Sequence, residues 1–490
     1  MKASDELHQL IRSMSMSEKR YFKIHASRHI IGKQNNYILL FDAIGKQEVY
    51  DEAEIKKAFE NTSFIKHLPS EKHYLYQQIL ESLNAFNQDK TFLARNSNVL
   101  ISIEILYNKG LFSQCRKLIR KACAEAYALE RFAILYQIVH WETMLNIKDE
   151  DEKKLTLSIK EENRLLEVMK LQSALMQVAF HLQVQIDKGQ TSESFILEQK
   201  KELIRLYDLA KERNSFWSTY YYYSGIALLA TLESDEKKRY ECYSRIKEVM
   251  DRAPQFIRDL PAIYHLNSNN LVNVMFFLKK YEEAALLINE QRSFLKSNGI
   301  QNPTFSRVVF LNTSESELYL HYRTGNYRAG IDHIKVIEGE VKKMENSFSP
   351  LLFDLLYVMA VVELSNGTYK NAGKWLNRIM NAELDMNIRM ELQLNSRLLY
   401  LLVLFESDDI LFDNRLNAMR RLMARINDFP TQKKILEVIR MLSDEKVKDK
   451  NLSLIKKYIS EISKESLRSN RETLNKQFDF TGWMEHQLIA

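Results

Sequence analysis

The sequence predicts an all-α fold: a right-handed α-solenoid of about eight helical hairpins, with a short helical unit ahead of them and a helical cap behind. Three observations carry that prediction. Glycine (12) and proline (6) are scarce in 490 residues, about 4% of the chain against about 12% in an average protein, which leaves few places for tight turns, bulges or glycine-rich phosphate loops. The strong helix formers Leu, Lys, Glu, Ala, Met and Arg dominate instead. Finally, one spaced pattern of residues returns at four places, and each time it reads as helix, turn, helix.

The pattern is centred on an aromatic residue: Phe112, Tyr281, Tyr327 and Tyr369. Two residues earlier stand Gly110, Lys279, Gly325 and Gly367; three later come the small residues Cys115, Ala284, Gly330 and Ala372; seven later come Ile119, Ile288, Ile334 and Leu376. Before the turn, Tyr107, Phe276, Tyr322 and Leu364 lie at five residues, and Ile103, Val272, Leu318 and Ala360 at nine. Offsets of three and seven share one stripe of a helix, as do five and nine on the helix before it. The small residue lets two backbones approach, the aromatic plugs the hairpin end, and glycine ends the first helix in a left-handed conformation.

Residues 1–95 hold no copy of the pattern. Ser15-Met16-Ser17-Glu18 has the form of a capping box opening a helix. Further helices are expected over 36–47, over 51–60 with Asp51 capping and Glu54 answering, and over 70–89, where Leu75, Ile79, Leu83 and Phe86 form a stripe. Hairpins are then expected over 96–428. The first joins 97–109 to 113–129. The second joins 130–147 to a helix ending at Val168, after the run Asp149-Glu150-Asp151-Glu152, which suits the positive end of a helix dipole. The third pivots on Lys188-Gly189-Gln190 and the fourth on Ser234-Asp235. Three clear hairpins centre on Tyr281, Tyr327 and Tyr369, and an eighth joins 388–405 to 411–427. Residues 429–490 read as basic capping helices over 431–443 and 449–470, since a repeat array must cover its last open face. A tail follows whose Phe478, Phe480 and Trp483 are apolar enough to dock.

Net charge is +6, and it is localised. Residues 415–476 carry 16 Lys and Arg against 8 Asp and Glu, which leaves −2 for all the others. Cys115, Cys123 and Cys242 are odd in number and lack metal spacing, so they are expected as small apolar side chains in a reducing compartment. The first residues hold no apolar stretch of signal-peptide length, and the run Leu398–Phe405 is too short to span a bilayer. A cytoplasmic protein without membrane contact is expected.

The turn Gly367-Thr368-Tyr369-Lys370-Asn371-Ala372, and less strictly Gly325–Gly330, resembles the glycine-x-aromatic-x-x-alanine turn of the tetratricopeptide-repeat family. The resemblance covers about residues 96–428. The spacing is looser than the family's 34 residues: Tyr281 to Tyr327 is 46 and Tyr327 to Tyr369 is 42. The chain as a whole also resembles bacterial helical-repeat proteins of unassigned activity. The tetratricopeptide resemblance implies a concave groove in which first-helix asparagines grip a peptide backbone.

The segment His265-Leu266-Asn267-Ser268-Asn269-Asn270 fits that role. An amide side chain donates and accepts, as a groove that tolerates varied side chains requires, so Asn269 or Asn270 is a candidate contact, with Asn312 and Glu315 on the next unit. Of Tyr220–Tyr223, spread around one helix, at least one ring must leave the core; Tyr222 is the candidate. Arg415, Arg420, Arg421, Arg425, Lys433 and Lys434 form a basic patch opposite the apolar stripe Leu416, Met419, Met423 and Ile426, so a nucleic-acid or acidic partner is the weaker alternative.

His25 and His29 stand four apart, and Asp408-Asp409 with Asp413 is acidic, but neither has completing ligands, so no metal or cofactor is expected. No P-loop, dinucleotide fingerprint, nucleophile elbow or zinc-protease motif occurs. The expected function is therefore non-enzymatic binding of a protein or peptide segment. A peptide-sensing transcriptional regulator is the alternative, its first unit reading DNA through helices between Ser15 and Gln47. That unit is only weakly basic, with 14 Lys and Arg against 12 Asp and Glu.

Overall fold

The computed structural model describes residues 5–27, 36–88, 92–188, 192–211, 215–300, 302–344, 349–381, 390–426, 429–468 and 478–489. Among the described residues there are 25 α-helices, one 3-10 turn and no strand, so the fold is all-α. None of these helices is long and apolar enough to cross a membrane. The chain forms two units, Met1–Leu166 and Glu167–Ala490.

The first unit begins with α1 (Glu6–Ser13), α2 (Met16–Ala26), α3 (Asn36–Lys46), α4 (Glu52–Ala58) and, after a 3-10 turn at Ser63–His67, α5 (Leu68–Asn87). The capping box of α2 is present: the Glu18 amide donates to Ser15 Oγ at 3.3 Å and the Ser15 amide to Glu18 at 2.7 Å. Asp51 caps α4 by accepting from the amides of Ala53 and Glu54. Glu54, expected to answer the Asp51 amide, does not; the Gln47 side-chain oxygen Oε1 accepts that bond at 3.2 Å. α1 has no counterpart among the helices expected from the sequence; its two turns bury only Leu7, His8 and Ile11. Around Phe22, Leu40, Phe41, Ile44, Leu75 and Ile79 these helices close a core of their own. The same unit holds α6 (Phe92–Asn108), α7 (Phe112–Ala128) and α8 (Phe132–Lys148), with α7 packed on both neighbours.

Between Glu152 and Lys188 the chain forms one 37-residue helix, α9, rather than the two helices expected to meet near Val168. The segment contains neither glycine nor proline, so nothing interrupts the hydrogen-bond ladder. The acidic run ahead of it is divided: Asp149 follows α8 and pairs with Arg116, while Asp151 caps α9 through the Lys154 amide. The third pivot, at Gly189 and Gln190, lies outside the described residues.

The second unit continues through α10 (Glu193–Ala210), α11 (Phe216–Glu233), α12 (Glu236–Asp251), a short α13 (Pro254–Asp259), α14 (Pro261–Phe277), α15 (Tyr281–Ser297), α16 (Pro303–Arg323), α17 (Tyr327–Lys342), α18 (Pro350–Ser365), α19 (Tyr369–Met380), α20 (Met390–Glu406) and α21 (Phe412–Ala424). Then come α22 (Pro430–Leu442), α23 (Glu445–Lys450), α24 (Leu452–Arg468) and α25 (Phe480–Ile489). Each hairpin helix packs on its successor. The first helices of successive hairpins, α14, α16, α18, α20 and then α22, also pack on one another. α18 sits deepest: every residue from Leu352 to Leu364 is buried, which explains why that stretch is apolar apart from Asp354 and Glu363.

The turns repeat one hydrogen-bonding device. At the end of α14, α16, α18 and α20, a residue with positive φ (Lys279, Gly325, Gly367, Asp408) is followed by an amide that bonds back five residues, at 2.8 to 3.0 Å. This is the Schellman closure that satisfies the last carbonyls of a helix. Ser234 ends α11 in the same way. The small residues at the third position after the aromatic are all buried, and Gly330 shows why: a Cβ there would stand 2.7 Å from Val362 Cγ1. Cys115 and Cys242 are buried and Cys123 half-buried, all three as free thiols. Burial pushes the Cys123 and Cys242 thiols up to about 12, so at neutral pH they are uncharged packing groups.

Candidate functional site

Counting each turn from its left-handed residue uncovers a row of equivalent positions in the second unit. Two residues before it lie Phe277 after Phe276 at the end of α14, Arg323 after Tyr322 at the end of α16, Ser365 after Leu364 at the end of α18, and Glu406 after Phe405 at the end of α20. These residues are the last turns of successive first helices, and they border one cavity of about 1150 Å³. The turn aromatics Tyr327 and Tyr369 complete that edge, and α11 and α12 close it on one side with Thr231, Ser234, Glu236 and Arg239.

Its chemistry is mixed aromatic and charged. Arg239 is buried and held by Glu236 at 2.8 Å. Arg323 donates to the Tyr319 hydroxyl at 2.8 Å and lies over that ring at 5.6 Å; burial raises the Tyr319 phenol to about 12 and pushes Tyr322 up as well. Both phenols therefore stay neutral donors and acceptors through the physiological range. Glu363, buried at the end of α18, accepts from the Thr368 hydroxyl and, at 3.4 Å, from Asn371, which ties the Tyr369 turn to the helix before it.

The remaining wall is the C-terminal segment. The Asp479 amide donates to the Tyr322 hydroxyl at 2.9 Å, and the Phe478 ring stacks on the Tyr322 ring with centroids 6.5 Å apart. Trp483 Nε1 and Gln487 Nε2 both donate to Glu406, at 2.6 and 2.7 Å. Asp479 caps α25 by accepting from the Gly482 amide at 2.9 Å. The expectation that Phe478, Phe480 and Trp483 dock is met: Phe478 and Phe480 are buried, and Trp483 sits edge-on to Phe405.

None of the residues singled out from the sequence as partner contacts lines this cavity. Asn312 is buried on α16, and its amide meets His265 Nε2 of α14 at 3.0 Å, so it bridges two helices inside the protein. Asn267 likewise donates to the Tyr243 carbonyl from a buried position. Asn269, Asn270 and Glu315 are half-buried on α14 and α16. Tyr222 lies flat on Tyr207 of α10 at 3.8 Å between centroids, so one face of its ring is already covered. Arg420, Arg421 and Arg425 are exposed around the end of α21; Lys433 and Lys434 are half-buried on α22, and Lys434 pairs with Glu461 at 3.0 Å. His29 lies outside the described residues, so the His25 and His29 pair has no geometry. Asp409 accepts from the Leu411 amide at 2.9 Å in the junction before α21.

The sequence did carry part of the row. Tyr322, Leu364, Tyr327 and Tyr369 were read as repeat positions, but as spacers; Arg239, Arg323 and Glu406 were not singled out. For Arg323 and Glu406 the signal is the position two residues before the left-handed residue of each turn; Arg239, on the second helix of its hairpin, carries no such mark. Comparison with protein-family models, with curated proteins and with solved structures gives no significant match to this chain.

Proposed function

We propose that the chain is a non-enzymatic helical-repeat scaffold, a right-handed α-solenoid of tetratricopeptide-like hairpins, that binds a peptide or protein segment. The observation that supports this reading is the cavity lined by equivalent positions of successive hairpins. A repeating row of receptor groups suits a ligand that is itself a repeating chain, because neighbouring hairpins can each meet a neighbouring part of it. Tyrosine rings supply contact area at small cost in conformational entropy, and Arg323 with Glu406 supplies orientation.

The test is selection of peptides from a random display library on the full chain, followed by titration of an enriched peptide. Arg323→Ala and Tyr369→Ala are expected to weaken binding at least about tenfold, while Arg420→Ala with Arg421→Ala leaves it unchanged. Binding that falls with Asn269→Ala and Asn270→Ala but ignores Arg323→Ala puts the segment on the first-helix face instead. A library from which nothing is enriched, either by wild type or by the full-length chain whose C-terminal segment is loosened by F480A/W483A, overturns the reading.

A further inference from the structure

The C-terminal segment meets the row of helix ends in the manner of a ligand. Two of its polar contacts reach residues far away in the chain, 157 positions back to Tyr322 and 77 back to Glu406, and another is the Lys448 ammonium of α23 donating to the Gln487 carbonyl at 2.8 Å. The first two fall on the last turns of α16 and α20. A segment whose task was only to close the core would fill the space beneath it. This one buries Phe480 and Met484 at 3% and 0% exposure, yet leaves a large cavity along its other side, walled by Asp479, Thr481, Gly482, Trp483 and His486. It is also pre-formed as a short capped helix, the state in which a segment loses least conformational freedom on docking.

Glu406 is the most informative member. Its carboxylate accepts from Trp483 Nε1 and Gln487 Nε2 at once, two donors four residues apart and therefore on one face of a helix. Bonds to an ionised acceptor are the strong ones. Glu406 therefore specifies what docks there: a helix presenting N–H donors at that spacing, with an aromatic ring ahead of them to lie on Tyr322.

We infer that Phe478–Ile489 is a built-in occupant of the binding surface, and that the partner is a short amphipathic helix that displaces it by offering Glu406 an indole or amide N–H and Tyr322 an apolar ring. The inference rests on the peptide-binding reading and adds to it the class of partner and a means of keeping the surface covered until that partner arrives.

A fluorescein-labelled peptide of residues 478–489, titrated by anisotropy into the full chain, tests it without knowledge of the partner. Wild type, whose own segment is seated, binds the peptide weakly. The full-length F480A/W483A chain binds it at least about tenfold more tightly, and adding Glu406→Gln lowers that affinity about tenfold again, because the neutral amide oxygen accepts both hydrogen bonds without the charge that strengthens them. W483F/Q487A, which keeps the ring and removes both donors, serves the same purpose if F480A/W483A loses its helical circular dichroism. Equal affinity for wild type and released chain, or no saturable binding to either released chain, overturns the inference and makes the segment a plain cap. Such a result leaves the peptide-binding reading standing, since that reading depends on library selection and on Arg323 and Tyr369.

Discussion

At the scale of single residues, the buried polar groups of α14 to α16 have a measurable consequence. His265 is almost fully buried beside Asn312, and burial holds its imidazole at about 4. Between the ordinary histidine value of 6.5 and that value, the unfolded chain binds a proton that the folded chain refuses, so stability falls as pH drops through this window. At about 1.4 kcal/mol per unit, His265 contributes a loss of about 3 kcal/mol. Burial depresses His333 to about 4 too, in the same direction. Denaturant unfolding of His265→Gln at pH 7, 5.5 and 4.5 is expected to show a shallower decline than wild type; an identical decline assigns the proton to another group. This burial was illegible in the sequence. Periodicity separates core from surface by apolar content, and it cannot tell an asparagine that faces a groove from one that meets a histidine 47 residues earlier. The turns at Gly325 and Gly367 are marked by the glycine itself; at Ser234, Lys279 and Asp408 the sequence places the turn through its neighbours, and nothing in the residue announces the left-handed backbone found there.

Those three residues are the natural probes at the scale of the element. A non-glycine residue in the left-handed region costs about 1 kcal/mol or more, and Lys279 adopts it with φ of 55°. Lys279→Gly is therefore expected to stabilise the hairpin of α14 and α15 by about 0.5–1 kcal/mol after the flexibility it adds to the unfolded chain, read as a higher urea midpoint with unchanged slope. Gly367→Ala, at φ of 75°, loses a similar amount. A Lys279→Gly chain no more stable than wild type means that the lysine makes a contact of equal worth. The hairpins of α14 to α19 were readable because each contains the whole pattern within about 17 residues. α9 departs from the expected pair of helices for the opposite reason: the stretch holds no breaker, so one helix runs past a hairpin's length. The docking of Trp483 on Glu406 belongs to neither class, since no local pattern reports a contact across 77 residues.

At the scale of the whole molecule, the separate core of α1 to α5 predicts separable stability. Ile44, fully buried there, loses about 2–4 kcal/mol on truncation to alanine. Hydrogen exchange of Ile44→Ala is expected to speed up over residues 5–88 while α14 to α20 keep their protection; an equal rise everywhere contradicts independent cores. α9 qualifies that independence. Its first turns belong to one unit and its later turns to the other, and a helix is hard to begin and easy to extend. Whichever unit consolidates first therefore presents its neighbour with a growing end rather than a nucleus still to be formed, which couples their order of folding without requiring any shared core.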